Sequence, residues 1–199
     1  MNGITINATD EEAISASADG SCIVWNLIRG VRTNALFAST LFRAVVYHPD
    51  ESQLLTCGSD RKVLVPHPWL LLCVFVAFVV ECRVGFCQAT HTTRARPCLP
   101  PPPQMTYWDT SDCNAIRILE GATAELNSLD IEPDGVAFAS AGNDKLVKVW
   151  HYDEGTTIAV GAGHSGGISQ VRISPDVSKI VSVGSEGAIF IWSMPAVRA

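Results

Sequence analysis

Apolar and polar positions alternate along most of this chain with the two-residue period of strands that bury one face. The clearest stretch runs from Gly163 to Trp192, GHSGGISQVRISPDVSKIVSVGSEGAIFIW. Ile168, Val171 and Ile173 predict a first strand, and Pro175-Asp176 turns the chain. Ile180-Val181-Ser182-Val183 predicts a second strand, followed by a tight turn at Gly184-Ser185-Glu186-Gly187. Ala188-Ile189-Phe190-Ile191 predicts a third, closing on Trp192. Three short strands joined by two turns make a β-meander.

The unit recurs. Trp108, Trp150 and Trp192 are evenly spaced, and Trp25 precedes Trp108 by twice that interval less one residue. Asp144 sits six residues before Trp150, as Glu186 does before Trp192 and Asp19 before Trp25. Ser140, Ser182 and Ser15 each sit four residues before that acidic position. Pro133-Asp134 and Pro175-Asp176 stand at the same distance before their tryptophans. A repeat of roughly 40–45 residues ending in tryptophan is the sequence signature of propeller blades.

The doubled interval holds a split copy. Arg43 to Asp50 (RAVVYHPD) and Gln53 to Cys57 supply two strands, and Gly58-Ser59-Asp60-Arg61-Lys62 the following turn. The third strand, due immediately, resumes only at Met105-Thr106-Tyr107-Trp108-Asp109. Excising Val63 to Gln104, one repeat length, leaves GSDRKMTYWDT, with Trp108 six residues after Asp60 and Thr56 in the serine position.

The insert differs in kind from its surroundings. It carries four of the seven cysteines (Cys73, Cys82, Cys87, Cys98), a proline run from Leu99 to Pro103, and a net charge of +2 against −8 for the remainder. Valine codons begin with GT and glutamine can be CAG, while the Leu-Pro run implies a pyrimidine-rich tract just upstream. These are the marks of an in-frame intron read as coding sequence. Its apolar run, Trp69 to Val80, stops at Glu81 and falls well short of the roughly 20 residues that a spanning helix needs. A membrane is therefore not an expected partner. Its cysteines show no C-x₂-C pair, which argues against zinc.

The domain expectation is that residues 1–62 hold the first unit and the first part of the second. Residues 63–104 are the insert, disordered or artefactual, and 105–199 hold the rest of the second unit with the third and fourth. Ile4-Thr5-Ile6 ends a truncated first strand, and Arg32 to Ala38, Ala115 to Leu119 and Thr157 to Val160 predict outer strands. Ser193 to Ala199 is too short for another. The predicted fold is all-β, an incomplete propeller of about four blades, the first and last partial, with a non-propeller insert. Two unpaired sheet edges would invite association, so the chain is expected to be part of a longer product or to fold poorly alone.

Composition removes several function classes. A net charge of −6, a pI near 5.3 and no basic run exclude a nucleic-acid partner, because phosphate binding needs a basic surface. The first residues lack the charged and apolar regions of a signal peptide. Outside the insert Cys22, Cys57 and Cys113 form an odd set on or beside strands, which predicts buried, reduced thiols. His164, Ser182 and Glu186 could be read as a hydrolytic set. Their positions recur in copies without histidine, however, so they are expected to hold blades together. Gly161-Ala162-Gly163 with Gly166-Gly167 has no following Lys-Ser/Thr, unlike a phosphate loop. Asp134, Asp144, Asp153 and Glu154 are spread over turns, unlike a calcium loop. No catalytic, cofactor-binding or metal-binding residue is expected.

These marks resemble the WD-repeat family across all of the chain except the insert. The resemblance implies a hydrogen-bonded tetrad in each blade, made of a Gly-His histidine, a Ser or Thr, a turn Asp and the Trp. Only the fourth copy carries a full set, His164, Ser182, Glu186 and Trp192, with a glutamate in the Asp position that predicts a looser contact. The others keep Ser140, Asp144 and Trp150; Thr56, Asp60 and Trp108; and Ser15, Asp19 and Trp25. Gly121-Ala122 stands where Gly-His would be, and only Trp108-Asp109 spells the eponymous dipeptide. More narrowly, SASADGSCIVWNL, YHPD, GSDRK with MTYWD, GNDKLVKVW and GHSGGISQVRISP resemble a ciliary branch of that family. The resemblance implies a place in the cytoplasm at the axoneme of cilia and flagella, inside doublet microtubules, with tubulin and other lumen proteins as partners. The alternative is a soluble WD-repeat adaptor of the ubiquitin-ligase or signalling type.

If residues 63–104 are retained intron, sequencing the transcript across Lys62 and Met105 will find a dominant mRNA that lacks them. A dominant mRNA that contains them contradicts that origin.

Overall fold

The computed structural model describes residues 1–38, 40–59 and 104–196, and everything structural below concerns those residues. They form fifteen antiparallel strands in four sheets and no helix. The first sheet holds β1 (Gly3–Ile6), β2 (Glu12–Ala16), β3 (Ser21–Asn26) and β4 (Val31–Phe37). The second holds β5 (Leu41–Tyr47), β6 (Gln53–Ser59), β7 (Gln104–Asp109) and β8 (Ala115–Glu120). The third holds β9 (Leu126–Ile131), β10 (Ala137–Gly142), β11 (Leu146–His151) and β12 (Thr157–Ala162). The fourth has three strands, β13 (Ile168–Ile173), β14 (Lys179–Gly184) and β15 (Ile189–Ser193). Each sheet is a plain meander in chain order, as the repeating apolar alternation requires. The partial first blade has all four strands, its inner one only four residues long.

The four blades share one register. Ala13 faces Trp25, Leu54 faces Trp108, Phe138 faces Trp150 and Ile180 faces Trp192. In the first three blades the pairing to the outer strand slips by one residue at the tryptophan, between Val24/Trp25, Tyr107/Trp108 and Val149/Trp150. Such a bulge bends and re-aims the strand locally. The first hairpin of every blade also places one residue in the left-handed region: Asp10, Glu51, Gly135 and Val177, at φ between 56° and 72°. Only Gly135 adopts it without a steric cost. For Val177 the penalty is about 1–2 kcal/mol, borne because Asp176, accepting from Ser178 N and Ser178 Oγ, fixes the turn.

β6 and β7 pair as directly as their counterparts elsewhere, with Cys57 opposite Met105 and Thr56 opposite Thr106. An excursion between them is compatible with this, because closure cost grows only logarithmically with loop length. Gln104, assigned to the insert by sequence, is instead the first residue of β7 and pairs with Glu120. Asp60, the run Trp69 to Val80 and the insert's four cysteines lie outside the described residues. No helix among the described residues is long and apolar enough to cross a membrane.

The core is not one cluster but three, each lying between consecutive blades. Ile14, Ala16, Cys22, Val24 and Leu36 of the first blade meet Phe42, Val45, Leu54 and Trp108 of the second. Val46, Leu55, Met105 and Tyr107 meet Leu126, Leu129, Phe138, Trp150 and Tyr152 of the third. Ala139, Val147 and Val149 meet Ile168, Val171 and Ile180 of the fourth. Inner strands β1, β5, β9 and β13 pack side by side in that order. Asparagines add polar clasps, Asn2 Nδ2 donating to Phe42 O at 2.8 Å and Asn127 Nδ2 to Ile168 O at 2.8 Å. Cys22 and Cys57 are buried free thiols, pushed by burial up to about 12. Cys113 departs from the expectation: it is only half-buried, because it sits in the exposed turn between β7 and β8 with a left-handed φ of 60°.

Candidate functional site, a buried relay in each blade

The second and third strands of every blade are joined by one side-chain bond. The indole N–H of the tryptophan donates to a hydroxyl on the preceding strand, ten residues earlier in three blades and 52 earlier, across the insert, in the second: Trp25 to Ser15 at 3.0 Å, Trp108 to Thr56 at 2.9 Å, Trp150 to Ser140 at 2.8 Å and Trp192 to Ser182 at 2.9 Å. A buried indole needs an acceptor for its single donor, and a period-two strand places a hydroxyl on the same face to provide one. Three of the four hydroxyl residues are almost or wholly buried, and Ser15 nearly so.

The fourth blade extends this bond into a relay. Ser182 Oγ lies 2.7 Å from His164 Nε2, and His164 Nδ1 reaches Glu186 Oε1 directly. The predicted loosening by the longer glutamate does not occur, because Glu186 folds back to accept from Gly166 N as well, at 3.2 Å. The donor count assigns the tautomer. With the imidazole proton on Nδ1, His164 donates to Glu186 and accepts the Ser182 hydroxyl proton, while Ser182 accepts from Trp192. Glu186's own backbone amide, and after it His164, hold its carboxylate below the ordinary range. Phe190 packs edge-on against the imidazole at 4.5 Å. A Cβ on Gly163 would stand 3.1 Å from the Trp192 ring, so glycine lets the strand approach closely.

Glu186, His164 and Ser182 are thus arranged like an acid, base and nucleophile. A nucleophilic hydroxyl needs an exposed lone pair aimed at a substrate. Ser182 is fully buried, and the indole of Trp192 occupies that lone pair. The set stabilises a hairpin.

The third blade solves the missing histidine differently. One repeat before His164, in the same place relative to Trp150, stands Ala122. The space is filled by Lys148, which stands opposite Ser140 on β11, the counterpart of Phe190. Its ammonium lies 3.0 Å from Asp144 Oδ2 and 3.1 Å from Gly121 O. Asp144 also accepts from Thr123 Oγ1 and Leu146 N, so it links turn and strand through a cation where the fourth blade uses an imidazole. Both side chains are buried. Sequence reasoning missed Lys148, although a lysine between valines in LVKVW, where the other copies hold Ile23, Thr106 and Phe190, was the available signal.

The first two blades keep less. Ser15 makes a long 3.5 Å contact to Ile23 O, and Thr56 a 3.4 Å contact to Thr106 O. Asp19 turns away from Ser15 to accept from Ser21 N and Ser21 Oγ, at 2.9 and 2.6 Å. Asp109 likewise accepts from Ser111 N and Oγ and closes the β7–β8 turn. In both cases the serine hydroxyl, then the serine amide, depresses the carboxylate. Asp60 lies outside the described residues. Among the described residues no group of three or more His, Cys, Asp or Glu side chains could hold a metal ion.

At one end of the inner strands Thr5, Tyr47, Glu51, Asp130 and Arg172 line an open depression of about 260 Å³ shared by all four blades. Arg172 Nη1 donates to Asp130 Oδ1 at 2.9 Å, and Ile173 N to Asp130 Oδ2 at 2.7 Å. Burial raises the Asp130 carboxyl, opposed by that amide and by Arg172.

Repeating meanders with a tryptophan–hydroxyl bond in each define WD repeats, and the model for the family "WD domain, G-beta repeat" matches residues 113–151 and 155–193. The chain carries WD repeats. It is similar to cilia- and flagella-associated protein 52 of Chlamydomonas reinhardtii, 44% identical over 193 residues that cover 96% of this chain and 25% of that relative. The Homo sapiens protein of that name is 38% identical over 96% of this chain and 24% of its own length. Human WD repeat and SOCS box-containing protein 1 is 34% identical over 93 residues, 46% of this chain and 22% of that protein. The chain spans about a quarter of the length of the curated relatives it matches.

Lys148→Met is expected to lower stability by about 3–5 kcal/mol, because it leaves the Asp144 carboxylate buried without its cation. Adding Asp144→Asn to that variant should recover most of the loss. Urea unfolding of the full chain followed by tryptophan fluorescence checks both; equal stability of Lys148→Met and the unaltered protein contradicts the assignment.

Proposed function

We propose that this chain is a non-enzymatic structural component of motile cilia and flagella. In this reading it is a WD-repeat protein in the lumen of axonemal doublet microtubules, stabilising them through contacts with tubulin and neighbouring lumen proteins. The observation that carries the reading is the 44% identity to a cilia- and flagella-associated protein across 96% of this chain. The geometry supports it. The acid, base and hydroxyl that could suggest catalysis are used inside a blade, which leaves rigidly held turns and rims for recognition. Neither a cofactor nor a metal has a role. Residues 1–62 and 104–199 act as one arc of blades, and 63–103 as an insertion within the second.

The reading is tested by expressing the tagged chain in flagellated cells and extracting axonemes with detergent. The tagged chain should remain with the doublets after detergent and moderate salt. Release into the soluble fraction together with ubiquitin-ligase or signalling subunits favours the adaptor role and overturns this one.

A further inference from the structure

The first hairpin of each blade turns on the same two positions. One is the left-handed residue, Asp10, Glu51, Gly135 or Val177. The residue just before it stands exposed at the tip, and it is an aspartate in three blades, Asp50, Asp134 and Asp176, but Thr9 in the first. Asp50 accepts there from Ser52 N and Ser52 Oγ at 3.0 and 2.9 Å, and Asp176 from Ser178 Oγ at 2.7 Å. The first blade forms its turn without that anion, because Asn7 Oδ1 accepts from Glu11 N and Glu12 N at 3.0 and 2.9 Å. Three carboxylates follow Thr9 directly: Asp10, Glu11 and Glu12. Kinases choose substrates partly by such charge patterns, and a basic substrate groove pairs with acidic residues that follow the acceptor hydroxyl.

Beside Thr9 lies the contact that ties the turns of the first two blades together. Glu51 Oε1 accepts from Ala8 N at 2.6 Å, and Glu51 Oε2 lies 3.5 Å from Asn7 Nδ2. The same Asn7 amide donates to Thr9 Oγ1 at 2.7 Å. The Thr9 hydroxyl and the Glu51 carboxylate thus share one donor, so a charge placed on the first is felt by the second.

We propose that Thr9 is a phosphorylation site for an acid-directed Ser/Thr kinase, and that its phosphate releases the clasp between the first two turns. The γ-phosphoryl group of ATP passes to Thr9 Oγ1. A new O–P bond replaces the bond to the β-phosphate oxygen, the hydroxyl proton goes to the catalytic base of the kinase, and ADP leaves. The first turn then carries the negative charge that the other three carry as aspartate, raised to nearly two charges. The phosphate repels the Glu51 carboxylate and competes for the Asn7 amide, so Glu51 lets go of Ala8 N and the two turns part. The apolar contact beneath them, which includes Ile14, Leu36, Phe42 and Leu54, stays closed, and the change is confined to the rim. The proposal does not depend on where in the cell the chain works.

Incubating the folded full chain with ATP and an acid-directed Ser/Thr kinase, then mapping phosphate by mass spectrometry, tests the site. Phosphate on Thr9 is the expected result. Asp10→Asn combined with Glu11→Gln should slow the transfer about tenfold, because it removes charges the kinase reads. Asparagine accepts the left-handed φ at position 10, so that variant keeps the turn. Phosphate missing from Thr9, found there only after unfolding in urea, or undiminished in that variant overturns the site. Exchange of the Ala8 amide, followed by NMR, tests the release. Phosphorylation should speed it about tenfold in the unaltered chain and much less in Glu51→Gln, whose neutral amide still accepts from Ala8 N. An Ala8 exchange rate unmoved by phosphorylation overturns the release, and an equal rise in Glu51→Gln overturns repulsion as its cause.

Discussion

One hydrogen bond, from the indole N–H of each blade's tryptophan to a hydroxyl on the preceding strand, recurs in all four blades at 2.8–3.0 Å. Among the described residues it is the polar side-chain link common to them all. The bond has two consequences for the fold. It fixes the register of the second and third strands, and a slip of one residue would turn every apolar side chain to the wrong face. It also lets a large aromatic enter the space between blades without leaving a donor unmet, a deficit that costs about 1–3 kcal/mol. With the tryptophans seated, the three inter-blade clusters can form; without them each blade is a small sheet with two half-covered faces.

Around this constant bond the rest of each network varies, and the variation follows from which residue fills one space. An imidazole fills it in the fourth blade and links Ser182 to Glu186. In the third, Lys148 fills it and links Asp144 to Gly121 O. In the first two blades, which have neither, the hydroxyl turns back to a backbone carbonyl, and in the first Asp19 closes its own turn. The same chemistry that resembles a hydrolytic relay is therefore one of several ways to satisfy buried groups.

Much of this was legible in the sequence, because period-two alternation and an even tryptophan spacing are directly imposed by strands that share one interface. Trp25, Trp108, Trp150 and Trp192, with Ser15, Thr56, Ser140 and Ser182, fell on the positions the structure pairs. Less was legible where a residue's role depends on a neighbour far away in the chain. Lys148 reads as an exposed strand lysine until Ala122 is seen to leave a space beside Asp144. Asp19 and Asp109 match family positions by spacing, but a serine two residues on captures each locally. The left-handed turn position repeats through Asp10, Glu51, Gly135 and Val177, and only one of these is a glycine that would betray it.

A double-mutant cycle on Ser140→Ala and Trp150→Phe in the full chain, read by hydrogen exchange of the β10 and β11 amides, tests the central bond most directly. The account predicts that the two changes together cost less than the sum of their separate effects, with a coupling of about 1 kcal/mol. Losses that add to within about 0.3 kcal/mol would contradict it, and would leave the tryptophan as an apolar wedge alone.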